Sequence, residues 1–212
     1  LPRLGKIRLG LKVKNATGKE YPKEASYFVC PDDVKKVYGE QPVELDIMFP
    51  IDSLDACFPQ SLKWYGSMQN LKCKGDGETA LRGWEYCSVE QQNCNDKDGL
   101  VEMSCPCEML DNGCSVRGCL MVLLPKVSIG GVYQIDTGSG ANIIAINSYV
   151  DYLRGVTSTS VFPEGRIALI PLKLRRIEKD MVYKDKEGKT KKSRHYLLQL
   201  ELPLTMDEVI KL

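Results

Sequence analysis

Gly131-Val132-Tyr133-Gln134-Ile135-Asp136-Thr137 reads as a buried strand, and Gly138-Ser139 turns it directly into a helix. Ser139 is suited to cap that helix, whose apolar face is Ile143, Ile144, Ile146, Val150 and Leu153 and whose end is Gly155. Outward from this unit the chain is mostly strand. Downstream, Ile167 to Leu174 and Tyr196 to Leu202 are predicted strands joined by a basic hairpin with its tip at 184–189. Upstream, 120–125 is a buried strand, 71–78 is a strand end turning on two glycines, and 43–49 alternates until Pro50. Trp64 and Tyr65 are the expected anchors of the mixed stretch 52–70. A short helix is predicted from Pro31-Asp32-Asp33 through Val34, Val37 and Tyr38 to Gly39. Ahead of it come the strand Tyr27 to Cys30 and an alternating strand with Ile7, Leu9, Leu11 and Val13 on one face. Thr205-Met206-Asp207-Glu208 has capping-box spacing, so a helix should start there and be cut short by the end of the chain. Helices stand alone instead of alternating with strands. That pattern predicts an α+β fold with a mainly antiparallel sheet, a few isolated helices and a cysteine-rich zinc-binding insertion. The expected organisation is 1–84, a cysteine-rich segment 85–119, and 120–212, integrated into one domain.

Length and composition fit this reading. The chain has 212 residues, 43% hydrophobic and 27% charged, enough to bury a core without disulfide staples. With 29 Lys+Arg against 28 Asp+Glu it is not a strongly basic nucleic-acid binder. No apolar run approaches the roughly 20 residues of a membrane helix. The chain begins at Leu1, so we expect the natural N-terminus to lie upstream. Charge is unevenly spread. Residues 3–14 carry five basic residues and no acid, 85–111 carry seven acids against Lys97, and 173–194 carry ten basic residues against four acids. Ordinary solvated faces explain this first; a surface with two opposite-signed patches for docking a protein that sits on DNA is the functional alternative.

Nine cysteines, an odd number, do not make a fully paired disulfide framework. Six of them, Cys87, Cys94, Cys105, Cys107, Cys114 and Cys119, fall close together in acidic, glycine-bearing surroundings. Four thiolates hold Zn²⁺ tetrahedrally in a closed structural site. Cys87-x6-Cys94 and Cys105-Pro106-Cys107 form two knuckle-like halves, followed by Cys114 and Cys119. Structural zinc is the expectation; two or three disulfides, or buried free thiols, are the alternatives. Cys119 lies in an apolar strand and is the first candidate for a spectator, while Cys30 and Cys57 read as core.

Other chemistry is thinner. Asp136-Thr137-Gly138-Ser139 matches the catalytic loop of aspartic proteases, which need two such aspartates around a water and hence a dimer here. Pro171 stands where the supporting apolar segment should carry glycine. The competing reading is a strand-to-helix turn in which Asp136 or Ser139 caps the helix. His195, the only histidine, sits among basic residues in a strand and reads as a solvated side chain rather than a general base. The 74–78 turn lacks the spacing of a phosphate loop. The Asn15-Ala16-Thr17 sequon reads as chance.

Several stretches, in order, resemble one family. They are Tyr21 to Val29, Glu44 to Pro50, Leu71 to Ala80, Cys105-Pro106-Cys107, Gly113-Cys114, Leu123-Leu124-Pro125, Gly131 to Thr137 and Arg166 to Leu172. Together they resemble the recombination directionality factors of temperate phages that use large serine integrases. The resemblance implies an accessory protein rather than an enzyme. It implies binding to a large serine integrase, at its coiled-coil and zinc-containing C-terminal region, on attachment-site DNA. The expected consequence is a switch from attP×attB integration to attL×attR excision. Contact with DNA would be indirect or weak, no membrane is involved, and the site of action is the bacterial host cytoplasm. The resemblance also implies that Cys105, Cys107 and Cys114 are metal ligands, with Cys87 or Cys94 completing four. A dimeric aspartic protease using Asp136 and a zinc-ribbon nucleic-acid binder remain as alternatives.

Overall fold

The computed structural model describes residues 1–16, 18–66, 70–87, 99–110, 112–184 and 188–209. The chain forms two compact units, residues 1–58, 119–137 and 141–212 in the first, and 59–118 with 138–140 in the second. The second unit therefore begins well before the cysteine-rich segment expected at 85.

In the first unit the basic alternating segment is β1 (Arg3–Lys14), paired antiparallel with β2 (Glu20–Val29). Alternation puts Ile7 in the core and leaves Lys6 and Arg8 outside, as a half-buried strand must. On its other edge β1 pairs in parallel with β9 (Ser128–Thr137), the strand predicted at 131–137. β9 neighbours β8 (Cys114–Leu124), whose residues 119–124 belong to this unit and bury Leu120, Val122 and Leu124 completely. A smaller antiparallel sheet has the order β11–β10–β3, with β3 at Glu44–Ile47, β10 at Leu172–Lys184 and β11 at Thr190–Glu201. Leu45, Ile47, Leu172, Leu174, Leu198 and Leu200 are its buried side chains. α1 (Asp32–Tyr38) ends on Gly39 at φ 86°, a left-handed position that glycine adopts without penalty. α2 (Leu54–Cys57) is a single turn whose Ser53 hydroxyl accepts from the Ala56 N–H. α3 (Gly140–Thr157) buries Ile143, Ile146, Val150 and Leu153. At the far end α4 (Met206–Val209) opens on the predicted box, the Thr205 N–H donating to Glu208 Oε2 at 2.8 Å.

The second unit contains residues 114–118 of β8, then β4 (Gln60–Tyr65), β5 (Leu71–Gly75), β6 (Thr79–Gly83) and β7 (Leu100–Ser104), all antiparallel. The fold is α+β with mainly antiparallel ladders, and β1–β9 is a parallel pair.

Several details depart from expectation, among them Leu11, which is 40% exposed because the register of β1 against β2 shifts between Arg8 and Gly10 and breaks the expected alternation. Ile144 is 67% exposed, so the buried stripe of α3 is narrower than its apolar sequence. That helix also runs past Gly155, which spares it the cost of a Cβ but need not end it, to Thr157, whose hydroxyl donates to the Leu153 carbonyl. Residues 167–171 form no strand: Asp52 Oδ1 takes the N–H groups of Ile167 and Ala168, both at 2.8 Å, so those donors are lost to a ladder. Tyr65 is 40% exposed, and so is no core anchor.

Candidate functional site

Among the described residues, four cysteines converge in the second unit. Register sets Arg82 of β6 opposite Cys73 of β5, Cys73 opposite Trp64 of β4, and Trp64 opposite Cys114 at the start of β8. The segment after β7 adds Cys105 and Cys107. The Cys105 N–H donates to the Glu78 carbonyl at 2.9 Å, and its Sγ fills the space over Gly75. A Cβ on Gly75 would stand 2.6 Å from that sulfur, which is why glycine is needed there. Asp76 holds the β5–β6 turn by accepting from the N–H groups of Glu78 and Thr79, each at 2.8 Å.

Cys73, Cys105, Cys107 and Cys114 line a single small cavity with Arg82 and Trp64, with room for about one water-sized atom. Arg82 is only 3% exposed. Its Nη2 donates to Cys107 Sγ at 3.1 Å, its Nη1 lies 3.9 Å from Glu108 Oε1, and its buried Nε has no partner. Burial works against its charge, yet the sulfurs of Cys73 and Cys107 outweigh that and raise its pKa. Burial also pushes the Cys114 thiol up, and proximity to Cys105, Cys73 and Cys107 adds to the effect. Among the described residues no three His, Cys, Asp or Glu side chains already stand in a metal-holding arrangement, and no disulfide joins the described cysteines.

Of the cysteines expected to ligate, Cys105, Cys107 and Cys114 come together here. Cys87 follows a 3₁₀ turn at Trp84–Tyr86 and donates its thiol to the Gly83 carbonyl at 3.6 Å, and it does not line the cavity. Cys94 lies outside the described residues, as do Thr17 of the sequon and residues 185–187 of the basic hairpin tip. Cys119 belongs to the first unit, where it meets the Met121 sulfur at 3.8 Å, and Cys30 and Cys57 are buried there. Sequence reading passed over Cys73. The available signal was the glycine two residues after it, followed by a tight Asp-Gly turn.

Asp136 makes its contacts within the sheet rather than to the start of α3. Its carboxylate pairs with Lys6 on the neighbouring strand and accepts from Gln134 Nε2 at 2.6 Å. Burial raises its pKa, but Gln134, Lys6 and Cys119 outweigh that and hold it below the usual carboxylate range. Buried Asn142 ties down the first turn of α3. Its Nδ2 donates to the Thr137 hydroxyl at 3.0 Å, and its Oδ1 accepts the Leu198 N–H at 2.9 Å. His195 is half-buried rather than freely solvated, with Ser193 Oγ at 2.6 Å and Glu24 Oε2 at 3.4 Å. Glu24 Oε1 is shared with Arg176 and the Tyr196 N–H, so the carboxylate serves the strands.

Part of the basic charge of 173–194 is answered by acids within the fold. Lys173 pairs with Glu44 and Asp46, Arg175 with Glu44 and Glu201, and Arg194 with Glu178. Arg176 is buried. No helix among the described residues is long and apolar enough to cross a membrane.

No curated protein and no solved structure matches the chain. A family model for Gp3-like proteins, described as recombination directionality factor-like, matches residues 4–203. Almost the whole chain, both units included, thus falls within one family's pattern, and the protein belongs to the recombination directionality factor-like family.

Proposed function

We propose that this protein binds a phage-encoded large serine integrase and switches it from attP×attB integration to attL×attR excision. The observation that carries the reading is the family match over residues 4–203. The protein supplies no chemistry in this role, and acts in the host cytoplasm on an integrase already seated on attachment-site DNA. Its contact is with the coiled-coil and zinc-containing C-terminal region of the integrase, and any contact with DNA is secondary. Physically the switch is a population shift. A partner that binds the excision-competent arrangement better than the integration-competent one moves the equilibrium by that difference and no more. Turning a strongly disfavoured synapse into a strongly favoured one requires a differential affinity on the order of 5 kcal/mol.

The test is a recombination assay with the serine integrase of the same phage genome, acting on attL×attR and on attP×attB with and without this protein. Excision should appear only in its presence and integration should fall. No change in either reaction with a folded sample overturns the proposal. Steeply salt-dependent binding to DNA alone would move the reading to a nucleic-acid binder.

A further inference from the structure

We propose that Cys73, Cys105, Cys107 and Cys114 hold a structural Zn²⁺, with the buried Arg82 guanidinium hydrogen-bonded to the ligating sulfurs. Cys73 replaces both Cys87 and Cys94 in the ligand set expected from sequence.

Three independent observations converge on it. The first is the donor set. Four soft sulfur ligands surround one cavity of about single-atom size, which is the composition of a closed zinc site. The four thiols do not stand in metal-holding geometry here, so ligation draws their sulfurs together around the cavity and releases their protons to solvent. The second is charge. A guanidinium as buried as Arg82 needs anions around it, and Glu108, 3.9 Å away and largely solvated, is a poor one. Four thiolates on Zn²⁺ carry two negative charges, and Arg82 already donates to Cys107 and keeps a second, unpartnered N–H in the site. The third is the core. Among the described residues of 59–118, the buried apolar side chains are Cys73, Ala80, Cys87 and Val101, with no leucine, isoleucine, phenylalanine or methionine. A unit of that size with so little buried hydrocarbon needs a staple, and the described cysteines supply no disulfide.

The test uses the full chain and reads metal rather than recombination, so it can fail without touching the integrase proposal. The wild-type protein should carry about one zinc per chain, a count set by one closed four-ligand site. Co²⁺ in its place should give the charge-transfer absorption of four thiolates. Cys73→Ser should lose the metal, Arg82→Met should weaken it about 10- to 100-fold, and Cys87→Ser, Cys94→Ser and Cys119→Ser should keep it. Should a ligand variant fail to fold, alkylation mapped by mass spectrometry on the wild type answers the same question. Chelation should expose Cys73, Cys105, Cys107 and Cys114 to the reagent and leave labelling of Cys119 unchanged. A wild-type protein that takes up no zinc overturns the site. So does a Cys73 whose labelling ignores the chelator, or a metal lost with Cys87 or Cys94 and kept without Cys73.

Discussion

Arg176 shows what a single polar side chain can hold in place. Its guanidinium is buried on β10 and donates to the carbonyls of Leu9, Ala25 and Tyr196 and to Glu24, joining β1, β2 and β11 through one group. Burial lowers its pKa, but those acceptors need its N–H groups. Arg176→Leu strands buried acceptors and should cost about 3 kcal/mol in urea unfolding. Asp52 works in the same way at an exposed position. The N–H groups of Ala168, then Ile167, together with the nearby charges of Arg166 and Arg154, hold its carboxyl below the usual carboxylate range against a small opposing effect of burial. A folded-state pKa below the unfolded value of about 3.9 gives stability that is complete above that value. The contribution is lost as pH falls through the folded value. Asp52→Ala should therefore cost about 1 kcal/mol at neutral pH, and the two urea midpoints should converge in strong acid. A gap that persists at low pH would mean the carboxylate charge is not what holds the turn.

At the scale of elements, α3 offers the sharpest contrast between pattern and packing. Ile143, Ile144 and Ile146 look alike in sequence, yet Ile146 is 1% exposed and Ile144 67%. Leu153→Ala, at a fully buried position, should cost about 2–5 kcal/mol, whereas Ile144→Ala should stay within about 0.5 kcal/mol. Asn142→Ala should cost about 2 kcal/mol by leaving the Leu198 N–H without its acceptor. Thermal denaturation of the three variants orders them, and an Ile144 variant as damaged as the Leu153 one would place the helix on the wrong face. The existence of strands that alternate in sequence, such as β1, and of helices with local caps, such as α1 and α4, was legible because their signals lie within a few residues, whereas the register shift that exposes Leu11 was not. What sequence could not supply was non-local. Asp52 removes the donors of 167 and 168 from a distance of more than a hundred positions, so an apolar run that reads as strand becomes a turn. Cys73 meets Cys105 and Cys114 through strand pairing, which spacing along the chain does not encode. Asp136 fits a protease loop and a helix cap equally well as text, and the partner it takes, Lys6 on a parallel neighbour, is set by strand pairing that the local sequence does not encode.

For the whole molecule, the two units differ in what can hold them together. The first buries a dense set of large aliphatic and aromatic residues, Phe28, Phe49, Leu120, Tyr133 and Leu153 among them, while the second buries almost none among its described residues. At roughly 25 cal/mol per Å² of apolar surface buried, hydrophobic burial contributes far more to the first unit than to the described part of the second. If zinc supplies the difference, its removal is a local event. Hydrogen exchange on the full chain with a chelator should show amides of β4, β5, β6 and β7 losing protection. Those of β9, β10 and α3 should keep theirs. Mild acid should do the same, because protons compete with the metal for the thiolates. Excision activity in the presence of the proposed integrase then separates the units' roles. Loss of activity together with protection at β4–β7 places the metal-held unit in the integrase contact, whereas activity that survives chelation places that contact on the first unit. Protection that falls equally along both units would show that the metal is no local staple, since a core as apolar as the first unit's has no need of it.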